Sequence, residues 1–79
     1  MTDQPPEDLL TMAKRHVREG EQRVARQEEH IAQLARAGHA AAAVRGNAVL
    51  KQMRWSLELA RRHLAFELER QTQVPPPQG

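Results

Sequence analysis

Leu10, Val17, Val24 and Ile31 recur every seven residues, with Ala13, Gly20, Gln27 and Leu34 at the positions between them. Steps of three and four residues put all of these on one narrow stripe of an α-helix. Such a stripe requires a second helix packed along it. The chain supplies one: Leu50, Leu57 and Leu64 also recur every seven, with Met53 and Ala60 between them and Ala43 and Gly46 upstream. Gly38 separates the two repeats. It can adopt the left-handed backbone that closes a helix, and Arg36 suits the negative end of the helix dipole. A turn this short makes the helices antiparallel. The expected fold is all-α, an antiparallel two-helix coiled-coil hairpin.

Turning the chain at Gly38-His39 sets the register. Leu34 pairs with Ala43, Ile31 with Gly46, Gln27 with Leu50, Val24 with Met53, Gly20 with Leu57, Val17 with Ala60, and Ala13 with Leu64, while Leu10 extends the seam. Most pairs oppose a large residue to a small one, which is what close packing requires. Each helical glycine costs about 1 kcal/mol relative to alanine. The register accounts for two of them, since Gly20 makes room for Leu57 and Gly46 for Ile31. Gln27 is a polar residue at a seam position, a device that can fix register. The same alignment brings Glu21 and Glu28 beside Arg54 and Arg61.

The expected boundaries are a disordered segment 1–5, a first helix over about 6–37, a turn at 38–40, a second helix over about 41–73, and a proline-rich tail at 74–79. Pro5 and Pro6 suit a first helical turn, where the acids Glu7 and Asp8 complement the dipole. No Ser, Thr, Asp or Asn caps the start of the second helix, and Val74-Pro75-Pro76-Pro77 ends it.

The second helix has more apolar surface than a hairpin needs. Val44, Ala48, Trp55, Leu59 and Phe66 fall within a sector of about 60° at 100° per residue, away from the seam. Arg62 shares that stripe and can lay its stem along the rings. The only tryptophan and the only phenylalanine of the chain are both here. The outer face of the first helix instead carries Arg15, Arg18, Glu19, Arg26 and Glu29. A chain of 79 residues without cysteine has little core and no disulfide to stabilise it. The stripe is therefore read as an interface. A second copy is the expected partner, giving a homodimeric four-helix bundle with the second helices at its centre. An unidentified helical protein is the other candidate occupant.

Other functions find less support. No apolar run approaches the roughly 20 residues of a membrane-spanning helix. The acidic, proline-bearing start does not resemble a signal peptide, so a cytoplasmic protein is expected. The formal charge is +2, with ten acids spread among twelve basic residues. A nucleic-acid-associated protein using outer-face arginines is the alternative function, although no basic face free of acids stands out. The register brings His16 and His63 near one another across one edge, with Glu67 a turn from His63. These three are the candidate metal ligands, against a reading in which the two histidines are solvated edge residues. No cofactor is expected. No phosphate-binding glycine loop or cysteine nucleophile is present, so no enzyme is expected either.

The segment Val17 to His39, VREGEQRVARQEEHIAQLARAGH, resembles a group of short uncharacterised helical-hairpin proteins of rhizobia and related alphaproteobacteria. The likeness rests on Gly20-Glu21, Ala25-Arg26-Gln27, the Ile31 to Leu34 spacing and Gly38-His39. It departs where Ala40-Ala41 stands in place of a polar capping residue. The resemblance implies a bacterial, cytoplasmic hairpin without a catalytic motif, and carries no activity with it.

Overall fold

The computed structural model describes residues 7–73. The expected disordered start, 1–5, and proline-rich tail, 74–79, lie outside them, and so does Pro6, expected in the first helix. Two helices account for nearly all of the described chain. Helix α1 spans Leu9–Arg36 and helix α2 spans Ala40–Gln73, and the two pack against each other as a hairpin.

Helix α1 begins later than the sequence reading places it. Asp8 has extended backbone (φ −73°, ψ 165°), and its Oδ1 accepts a hydrogen bond from the Thr11 N–H at 2.7 Å. Asp8 is thus the N-cap rather than a first-turn acid, and satisfies one of the N–H groups that a helix start leaves without a partner. Glu7 lies before the helix and folds back onto Arg15. The Arg15 Nη2 donates to Glu7 Oε1 at 2.8 Å and its Nη1 to Glu19 Oε1 at 2.8 Å. Arg15 and Glu19, placed on the outer face by periodicity, are half-buried by this chain of pairs.

The turn is a Schellman closure. Gly38 takes φ +80°. Its N–H bonds to the Ala35 carbonyl at 3.1 Å, and the His39 N–H to the Leu34 carbonyl at 2.9 Å. A side chain at Gly38 would be strained by that backbone angle rather than by crowding, since nothing lies within 4 Å of where a Cβ would sit. Helix α2 follows at once at Ala40, with the His39 carbonyl accepting from the Ala43 N–H at 2.9 Å.

At each of the two interior glycines a large side chain of the facing helix fills the space that a Cβ would take. A Cβ on Gly20 would sit 3.0 Å from Leu57 Cδ1, and one on Gly46 would sit 2.9 Å from Ile31 Cγ1. Beside Gly46, Gln27 Nε2 donates to the Gly46 carbonyl at 3.0 Å. Gln27 is thereby tied to the partner helix at one place along the seam. Two exposed ion pairs also cross between the helices, Arg54 with Glu28 at 3.0 Å and Arg61 with Glu21 at 3.6 Å. Each is worth only a few tenths of a kcal/mol.

Along the seam Ala13, Ala43, Gly46, Leu50 and Leu57 are buried. Leu10, Val17, Gly20, Val24, Gln27, Ile31, Leu34, Met53, Ala60 and Leu64 are half-buried. No large side chain among the described residues is fully buried. Two helices can touch along only one line, so most seam residues keep one side open.

Candidate functional site

Burial against α1 uses one face of α2. Val44, Ala48, Trp55, Leu59, Arg62 and Phe66 are all exposed on the other. Val44 retains 69% of its surface, Trp55 60%, Phe66 57% and Leu59 45%. At 100° per residue the mean direction of this stripe lies about 180° from the Leu50, Leu57 and Leu64 stripe. An α2 side chain can therefore serve the hairpin seam or the back face, but not both. Helix α1 has no equivalent: its outward positions include Arg18, Arg26 and Glu29, all exposed. Arg62 sits 3.6 Å from Glu58 one turn earlier, so its charge is held at the border of the stripe.

The candidate metal ligands do not form a site. Among the described residues no group of three or more His, Asp or Glu side chains is placed to hold a metal ion. Glu67 is buried, with Oε1 3.5 Å from Arg70 Nη1 and 3.6 Å from His63 Nε2. His16 instead borders a shallow groove of about 380 Å³ with Glu19, Gly20, Arg23, Met53, Ser56, Leu57 and Ala60. The reason lies in the heptad. Glu67 stands three residues after Leu64, so it continues the seam toward the start of α1 and turns inward rather than along the edge. The sequence carried that signal, and a tally of apolar residues alone passes over it.

Electrostatics is organised around the start of α1. The Arg15 guanidinium, by hydrogen bonding, holds the Glu7 and Glu19 carboxyls below their ordinary range. The Thr11 N–H does the same for Asp8. Arg15 in turn is held more firmly protonated by Glu7 and Glu19. This is a structural network at one end of the hairpin. The basic side chains of Arg23, Arg36, Arg54, Arg61, Arg62 and Arg70 also lie within 4.0 Å of a carboxylate of the same chain.

No helix among the described residues is long and apolar enough to cross a membrane. No protein-family model, no curated protein and no solved structure matches the chain.

Proposed function

We propose that this is a small, non-catalytic interaction protein that works by helix–helix association through the back face of α2, and that its first partner is a second copy of itself. Two hairpins joined this way form a four-helix bundle with α2 at the centre and α1 outside. The observation that carries the reading is the exposure of Trp55, Phe66, Leu59 and Val44 on one stripe. Large apolar side chains gathered on one face mark an interface.

The areas favour this reading. Aromatic side chains present roughly 150–250 Å² and the smaller apolar ones about 150 Å². At the observed exposures the four residues leave about 450 Å² open on each copy. A standard interface buries about 800 Å² per partner, so the apolar centre supplies more than half of one.

A nucleic-acid-associated role is less well supported, because most arginines are already within reach of carboxylates of their own chain. Kinship with the rhizobial helical hairpins and a bacterial cytoplasmic setting remain part of the proposal, carried by the Gly20-Glu21 to Gly38-His39 pattern.

Light scattering tests the reading, applied to the wild type and to the combined Trp55→Ala/Phe66→Ala variant. A wild type of twice the 9.0 kDa chain mass and a variant of the single mass, with helix content kept, are expected. A monomeric wild type would overturn self-association and assign the face to a different protein.

A further inference from the structure

Self-association through α2 has two open variables: the direction in which the helices cross and the position of the symmetry axis. We propose that two copies of α2 pack antiparallel with the two-fold axis beside Trp55. Val44 then meets Phe66 of the second copy, Ala48 meets its Arg62, and Lys51 meets its Leu59 and Glu58. This rests on the self-association reading above.

With Lys51 from its flank, the back face is symmetric in spacing about Trp55. Leu59 and Lys51 lie four residues either side of Trp55, Arg62 and Ala48 seven, and Phe66 and Val44 eleven. An antiparallel pair about a two-fold axis brings together residues equidistant from that axis, and steps of three and four are those of a coiled-coil seam. A parallel pair would instead set each residue against itself. Lys51 would then face Lys51, and Arg62 would face Arg62, two like-charged contacts along the apolar centre. In the antiparallel pair the Arg62 stem crosses the small Ala48, the Lys51 stem crosses Leu59, and both charges reach the rim.

Charge also places the axis. At 100° per residue, Lys51 and Glu58 occupy the same flank of the stripe. In antiparallel helices equivalent flanks meet. An axis at Trp55 therefore sets Lys51 of each copy beside Glu58 of the other, twice in the dimer. Moving the axis two residues on, between Trp55 and Leu59, would put Lys51 beside Arg62 of the second copy. Lys51 makes no ion pair among the described residues, whereas Glu58 already holds Arg62 at 3.6 Å. An approaching cation on that flank completes an arrangement that the isolated hairpin leaves unfinished.

The chain has no cysteine, so introduced thiols report the register directly. Ala48 and Arg62 are exposed and take no part in the hairpin seam. Under mild oxidation the Ala48→Cys/Arg62→Cys double variant should run as a covalent dimer on a non-reducing gel. Each single variant should not, because like positions would lie about 21 Å apart along the axis. Covalent dimers of the single variants would show a parallel pair and overturn the proposal. A double variant that stays uncrosslinked yet has dimer mass in solution would also overturn it, while leaving self-association standing. A monomeric mass for the wild type would overturn both. Charge exchange is the second measurement. Lys51→Glu and Glu58→Lys should each weaken the dimer about tenfold at low salt, and their combination should restore it. A combination no tighter than either single variant would contradict the proposed axis.

Discussion

Alanine at the two seam glycines should act differently, and the difference can be worked from two contacts. In a helix interior Gly→Ala gains about 1 kcal/mol from backbone propensity alone. At Gly46 the new methyl group would arrive 2.9 Å from Ile31 Cγ1. That atom sits next to the branch point of a stiff side chain and cannot swing aside easily. Overpacking of this kind costs about 1–3 kcal/mol. Gln27 Nε2 lies 3.5 Å from the same point, an ordinary contact that leaves its bond to the Gly46 carbonyl in place. The net expectation for Gly46→Ala is a loss of about 1 kcal/mol. At Gly20 the methyl group would meet Leu57 Cδ1 at 3.0 Å. That atom is the end of a flexible side chain bordering the groove of about 380 Å³, so a small rotation relieves the contact. Gly20→Ala should lie between neutral and about 1 kcal/mol more stable. Urea unfolding followed by circular dichroism, at one protein concentration for all three proteins, measures both. Concentration must be held fixed because association adds to apparent stability. A Gly46→Ala variant as stable as Gly20→Ala would show that Ile31 does not press on Gly46 as closely as described.

Other expectations follow from the ends of the hairpin. Glu67→Leu should stabilise the protein by about 1 kcal/mol or more, because a buried carboxylate at a seam position is replaced by an apolar side chain and its partners Arg70 and His63 are exposed; a lower melting temperature would show that its ion pairs outweigh its burial. Acid should loosen the start of α1. The Glu7, Asp8 and Glu19 carboxyls are held below their ordinary values, so their stabilisation is complete above about pH 5 and is lost as pH falls through the lowered values. Asp8→Asn keeps a capping oxygen and should flatten part of that melting-temperature profile, whereas Asp8→Ala should lower it at neutral pH as well. Added salt should leave a dimer centred on Trp55 intact or strengthen it, and a steep weakening would point to electrostatic association instead.

How much of this was legible in the sequence depended on the range of the interaction. The hairpin register was readable because Gly20 and Gly46 have no favourable reason to sit in helices except a large residue opposite. The turn was readable because Gly38 alone could close it. The start of α1 was not read correctly: two prolines followed by two acids fit a first turn, but they also fit an Asp N-cap standing before Leu9-Leu10. Glu7 reaching Arg15 could not be inferred from helical periodicity, because Glu7 lies outside the helix. Glu67 is legible by spacing, three residues after Leu64, but viewed only as a neighbour of His63 its place in the seam is passed over. The stripe of Trp55, Leu59 and Phe66 stood out in sequence because three large apolar residues exceeded what one seam can hold.

Trp55 is the only tryptophan of the chain and stands at the centre of the proposed interface, so its fluorescence reports whether a second copy covers it. The measurement is its emission over a dilution series, with far-ultraviolet circular dichroism at each step. Emission should be blue-shifted at high concentration and move red on dilution as the dimer separates, with helix content kept. Red emission unchanged across the whole series, with the helices intact, would mean that no second copy covers Trp55 and would rule out self-association through α2.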